Sequence, residues 1–126
     1  MDKIKLSHIV PILPTENIDQ TIDFYVQVLG FKNDWSWEEN SMVRLKRESV
    51  TLIFERNPSA AKKVRGLDFM VFLNGINAFY AEVQKSKLTL SDKLEDKPWG
   101  LREFSIQDNN GIFLRFAESL EMLPNE

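Results

Sequence analysis

The chain of 126 residues has no cysteine and a single histidine, His8. The first absence excludes a disulfide scaffold, a thiolate metal site and a cysteine nucleophile. The second leaves His8 as the only place where imidazole chemistry can occur within one chain. Long apolar runs are missing too. Nothing approaches the roughly 18 residues of a membrane span, and residues 1–7 lack the apolar centre of a signal peptide, so a cytoplasmic protein is expected. Nor is there an excess of positive charge: 16 Lys and Arg against 19 Asp and Glu give a formal charge of −3. Nucleic-acid binders usually show a basic face, so that partner class is set aside. No glycine-rich phosphate loop, G-x-S-x-G elbow or H-E-x-x-H is present, which removes the common nucleotide, serine-hydrolase and zinc-protease motifs.

What the sequence does contain is ordinary globular material, 43% hydrophobic and 28% charged, in a length suited to one domain. Residues 97–116, KPWGLREFSIQDNNGIFLRF, read as a β-hairpin with an indole at its entrance. Phe104 and Ile106 alternate with Glu103, Ser105 and Gln107, and Asn110-Gly111 between two apolar runs is a strong turn signal, both residues tolerating positive φ. Upstream, residues 4–13 predict a first strand, with Pro11 and Pro14 marking an edge or its end. Thr15 or Asn17 caps a helix whose apolar positions Ile18, Ile22, Val26 and Leu29 recur at helical spacing, and Gly30 ends it. Strands follow at 32–37, 42–46 and 50–55. Residues 56–65 (RNPSAAKKVR) have no period and read as a linker. After them come a strand at 66–73, a helix at 75–85, a short strand at 88–90 and the closing hairpin.

The second half therefore repeats the first. Phe24-Tyr25-Val26-Gln27-Val28 recurs as Phe79-Tyr80-Ala81-Glu82-Val83, an offset of 79 − 24 = 55. Helix composition alone can produce such a match, but the order of strands around it repeats as well. The expectation is one domain of two βαβββ modules, about 1–56 and 66–119, with a linker at 57–65.

Two stretches resemble a known family. Pro98-Trp99-Gly100 followed by Arg102-Glu103-Phe104 and an Asp108-x-x-Gly111 turn is similar to the end of bleomycin-resistance proteins. At the other end, His8-Ile9-Val10-Pro11-Ile12-Leu13 leads into Ile22-Asp23-Phe24-Tyr25 and Leu29-Gly30-Phe31 in the same order. These proteins belong to the vicinal-oxygen-chelate superfamily, with glyoxalase I and extradiol dioxygenases. The resemblance implies an α+β fold of two βαβββ modules whose sheets form a cupped surface. It further implies a module-swapped homodimer with ligand in grooves shared by both chains.

Superfamily enzymes hold a divalent metal with four inward side chains. The resemblance carries those positions onto His8, Ile53, Asp68 and Arg115. Ile53 has no donor atom and Arg115 is permanently charged. A metal-free site without cofactor or catalytic residues is therefore expected, with Asp68 as the natural partner of Arg115 and His8 hydrogen-bonded to a neighbour. The drug-binding groove carries over onto Asp34, Trp35, Trp37, Asn40 and Trp99. Period-two alternation puts Trp35 and Trp37 on one face of a strand. Glu103, with Glu38 and Glu39, favours a cationic, aromatic ligand. The competing reading is that the indoles fill the core or seal a dimer interface. The favoured function is sequestration of a small molecule of bleomycin type, an antibiotic-resistance role. The alternatives are a metal-dependent isomerase or dioxygenase with atypical ligands, or a binder of an unrelated metabolite.

Overall fold

Two four-stranded sheets, each packed on one face by a helix, follow one another along the chain. The computed structural model describes residues 3–123. Strand β1 (Ile12–Thr15) leads to helix α1 (Ile18–Asp23), which continues as a π turn (Phe24–Val28). Strands β2 (Lys32–Trp37), β3 (Met42–Arg47) and β4 (Val50–Arg56) complete a sheet ordered β1-β4-β3-β2. A short helix α2 (Pro58–Ala61) leads to β5 (Asp68–Phe72), α3 (Ile76–Gln84), β6 (Asp92–Asp96), β7 (Leu101–Gln107) and β8 (Phe113–Ser119). These four strands form the second sheet, ordered β5-β8-β7-β6. In each sheet the outer strand before the helix pairs parallel with the last strand, and the rest is antiparallel. The fold is thus the α+β arrangement of two βαβββ modules that the sequence predicts. Among the described residues no helix is long and apolar enough to cross a membrane.

Alternation decides which side of each sheet is covered. Val43, Leu45, Leu52 and Phe54 of the first sheet are buried, as are Phe104, Ile106, Leu114 and Phe116 of the second. They join Tyr25, Leu29, Phe31, Ile76, Phe79 and Val83 in one continuous core. Tyr25 packs edge-on against Phe31, and Phe79 edge-on against Phe116. Among the described residues no helix packs on the opposite face of either sheet, where Trp35, Trp37, Ile53, Glu103 and Arg115 lie.

Two joints hold the modules together. The Tyr25 hydroxyl donates to Asp108 Oδ2 at 2.7 Å, while Asp108 Oδ1 accepts from the backbone N–H groups of Asn110 and Ile112. Next to it, Thr15, Thr21, Asn109 and Asn110 share hydrogen bonds between the first strand and helix of one module and the last turn of the other. The second joint is Arg47, whose guanidinium donates to the Leu29 carbonyl at 2.8 Å and to Glu82 on α3 at 2.6 Å.

Several expectations change. Residues 4–13 do not form a strand; β1 starts at Ile12. Ile12 lies opposite Ile53, so the same register brings Ile9 opposite Val50, where β4 begins. Among the described residues, 3–8 run past the end of the sheet and pair with no strand, and Ile4, Leu6 and Ile9 are 90–95% exposed. Pro14 is tolerated inside β1 because β1 is an edge strand. Asn17 rather than Thr15 supplies the helix cap, accepting from the Gln20 N–H. The predicted strand at 88–90 is absent; β6 forms instead from the charged run 92–96, whose Leu94 alone packs on the core. Charge on an outermost strand discourages pairing with other chains, so β propensity is a poor guide to it. Asn57 caps α2 inside the segment read as a linker. The last turn spans 108–112, and only Gly111 has positive φ, at +81°. Glu38 and Glu39 lie in the β2–β3 turn with Asn40, all three left-handed.

The repeat itself is out of step with the sequence match. The helices begin at Ile18 and Ile76, an offset of 76 − 18 = 58. Their buried positions, Ile18, Thr21 and Tyr25 against Ile76, Phe79 and Val83, agree at 58 as well. Phe79 therefore corresponds to Thr21, and Phe24 and Phe79 are not at equivalent places.

Candidate functional site

On the open face of the first sheet stand two indoles. Strand β2 shifts register between Asn33 and Trp35, which sets Trp35 opposite Arg44 and Trp37 opposite Met42. Both side chains rise on the same face, their rings stacked at 6.3 Å with planes 16° apart. They are 39% and 55% exposed, so neither fills the core. Asp34, at the register shift, accepts from Arg44 Nε at 2.8 Å, and this hydrogen bond holds its carboxyl below the usual carboxylate range. Lys32, Arg44 and Lys46 against Asp34 and Glu55 leave the face with net charge 3 − 2 = +1. Asn40 lies at the exposed tip of the β2–β3 turn.

The open face of the second sheet is built around a buried carboxylate. Glu103, in the middle of β7, is 2% exposed. Its Oε1 accepts from Trp99 Nε1 at 2.5 Å and its Oε2 from Arg115 Nε and NH2 at 3.2 and 2.9 Å. The hairpin register explains the meeting: Ser105 lies opposite Arg115 and Glu103 opposite Ala117, so Glu103 and Arg115 are diagonal neighbours on one face. The bond from Glu103 raises the Arg115 pKa. Asp68 stands at 3.6 Å from Arg115 and is half exposed, so it is the lesser partner. Lys97, just before the Pro-Trp-Gly corner, bonds Asp92 and Glu95 and sits 6.0 Å from the Trp99 ring centroid. Asp68, Asp92, Glu95 and Glu103 against Lys97 and Arg115 leave 2 − 4 = −2.

Of the residues singled out from the sequence, Trp99, Glu103, Arg115 and Asp68 come together. Trp35, Trp37 and Asp34 form a separate group on the other sheet, with Ile53 two strands away on the same open face. Among the described residues the two groups share no hydrogen bond, ion pair or ring contact. His8 lies in the exposed arm and not in a strand, its Nδ1 2.7 Å from Ser7 Oγ. Lys97, Asp92, Glu95 and Arg44 were not singled out. Arg44 reaches Asp34 across strands, a pairing readable only once the register is known, whereas Lys97 meets Asp92 and Glu95 along one segment. Clefts of about 590 and 440 Å³ are lined by other residues, the first by Phe31, Arg47, Val50, Phe79 and Phe116, the second by Arg65, Ser91, Gln107 and Phe113.

The metal that superfamily enzymes use does not fit these residues. Ile53 cannot ligate, Arg115 is a cation held by Glu103, and His8 is outside the sheet. Among the described residues no group of three or more His, Asp or Glu side chains is placed to hold a metal ion.

A family model described as glyoxalase superfamily protein matches residues 1–122. The chain belongs to the glyoxalase superfamily. Solved structures agree in fold. A bleomycin resistance determinant encoded on the transposon Tn5 is similar at 21% identity and a TM-score of 0.77, over 90% of this chain and 98% of that one. A bleomycin-binding protein complexed with bleomycin gives 21% and 0.75, over 90% and 99%. A glyoxalase-related enzyme from Clostridium phytofermentans gives 22% and 0.74, over 92% and 97%. No curated protein sequence matches the chain. At these identities the likeness is one of fold, so the superfamily member must be read from its own surfaces.

Proposed function

We propose that this glyoxalase-superfamily protein binds a cationic, aromatic small molecule of bleomycin type and acts by sequestration as a homodimer, with no metal and no covalent step. The observation that carries the reading is the pair of helix-free sheet faces, each bearing exposed indoles on a fixed frame. Indoles offer flat stacking area at little cost in rotamer freedom, and a cation over an indole gains further from the ring quadrupole. The carboxylate excess around Trp99 favours the same class of ligand. Release would require only loss of stacking, so binding is stoichiometric and reversible.

The separation of the two groups supports the homodimer. Apolar side chains exposed on open sheet faces, including Met70, Phe72, Trp37 and Trp99, form the kind of surface that soluble proteins cover. The two faces carry opposite net charge, so the first sheet of one copy is electrostatically suited to oppose the second sheet of another. Such an arrangement would unite Trp35 and Trp37 with Trp99 in one groove, twice per dimer.

Calorimetric titration with metal-free bleomycin tests the reading, alongside sedimentation of the unliganded protein. One ligand per chain is expected, with dimer mass, and both Trp35→Ala and Trp99→Ala should weaken binding at least tenfold. A monomer that takes up neither bleomycin nor ethidium would remove this function.

A further inference from the structure

We infer that Glu103 is a positioning residue, which holds Trp99 as a one-sided platform and does not itself meet the ligand; this rests on the binding function proposed above. A carboxylate on a binding face is naturally read as the counter-charge for a cationic ligand. Here it is unsuited to that task. Its side chain is 3% exposed, and both oxygens are engaged, one by the Trp99 indole N–H and the other twice by Arg115. A ligand cation would have to displace a guanidinium already bound through two nitrogens. Trp99, by contrast, is 57% exposed although its only polar atom is tied down. It sits on the β6–β7 turn next to Gly100, where the open space would let an unanchored indole sample several rotamers.

The other neighbours complete the device. The Lys97 ammonium lies toward one face of the ring and is held there by Asp92 and Glu95. The indole edge points down into the sheet toward Glu103, so the remaining face is the one offered to a planar group. Charge is then read by Asp68, Asp92 and Glu95, which are 43–49% exposed, and not by Glu103. Arg115 has a defined part in this scheme. Its guanidinium offsets the buried negative charge and occupies Oε2, which leaves Oε1 to accept from the indole. The position where superfamily enzymes place a metal ligand thus supports an aromatic instead.

Two measurements test this. In the unmodified protein, the Trp99 indole proton should exchange with solvent more slowly than those of Trp35 and Trp37 and resonate downfield of them. Exchange as fast as theirs overturns the inference, and this arm needs neither a substitution nor a ligand. In a Trp35→Phe, Trp37→Phe background, Trp99 is the only fluorophore of its kind. There Glu103→Gln should add a fast component to its anisotropy decay while leaving the circular dichroism unchanged. With bleomycin as the probe on the otherwise native chain, Glu103→Gln should lower affinity about tenfold and Asp68→Asn about threefold, and Asp68→Asn in the Trp35→Phe, Trp37→Phe background should leave the Trp99 anisotropy unchanged. Unchanged affinity in Glu103→Gln, where Trp99→Ala abolishes binding, refutes the positioning role alone. Unchanged affinity in both variants refutes the platform and the proposed groove together.

Discussion

The two modules share a chain plan and differ in what they do with an arginine on the open face. In the first, Arg44 meets Asp34 at the surface, 42% and 36% exposed, with indoles standing beside the pair. In the second, Arg115 reaches down to a carboxylate that water barely touches, and an indole is bonded to the same carboxylate. The lesson is that an ion pair of similar length can decorate a surface or organise one, depending on whether its acid is solvated. A solvated pair contributes little, whereas a buried acid is costly once its partner is removed.

The most direct way to break that contrast is to remove each arginine. Arg115→Ala leaves the Glu103 carboxylate with the indole as its only side-chain donor, and should cost about 3 kcal/mol in urea denaturation. Arg44→Ala should leave the denaturation midpoint unchanged within error. Equal losses from the two would show that burial is not what separates them.

A second comparison sharpens the roles of glycines in the two modules. Gly30 has φ +71°, and a Cβ there would lie 2.7 Å from Arg47 NH1, inside the joint with Glu82. Gly75 has φ +89° but open space around a Cβ. Both alanines pay for a left-handed backbone, about 1 kcal/mol. Only Gly30→Ala should also dislodge Arg47, for a total of about 2 kcal/mol. Chemical denaturation of the two variants side by side gives the difference.

The other joint responds to pH. Burial raises the pKa of Asp108 above its ordinary value, against the bonds from Tyr25 and the two backbone N–H groups. A carboxyl whose folded pKa is raised contributes stability below its unfolded pKa, and that contribution is lost as pH rises through the folded value. Stability measured from about pH 4 upward should therefore carry a falling component that Asp108→Asn removes. Tyr25→Phe takes away a donor to the buried carboxylate, should cost about 1–2 kcal/mol near neutral pH, and should steepen the fall. A pH profile identical in all three proteins would contradict this assignment.

The smallest effect is expected at the β2–β3 turn. Glu39 holds φ +51° with no glycine to ease it. Glu39→Gly relieves left-handed strain but adds freedom to the unfolded chain, for a net gain under about 1 kcal/mol. A loss of stability would mean that the Glu39 side chain makes a contribution of its own.

Much of the fold was readable because apolar alternation in β2 to β4 and in the last hairpin is set by burial on one face only. The cap and Gly30 gave the first helix its ends. The arm at 4–9 misled because alternation signals a strand only where a neighbour exists, and β4 is too short to provide one. Strand β6 was invisible because an outermost strand is written in charges. At the site, the sequence leaves open whether the indoles fill the core, seal an interface or line a groove, and the resemblance pairs Arg115 with Asp68. That assignment followed the family's metal positions, whereas the hairpin register places Glu103 diagonally across from it. Counting outward from a five-residue loop at 108–112 would have found the pair, but the turn had been read as tighter than it is.

The offset between sequence and backbone repeats bears on ancestry. Had the two halves kept residues inherited from one duplicated module, their identities would fall at the structural spacing. Phe24 and Phe79 match in letters but sit almost one helical turn apart in the fold. Their likeness reflects what an amphipathic helix over a β-sheet demands in each half separately. Any reconstruction of the founding module should be aligned on Ile18 with Ile76, where common descent would leave its trace.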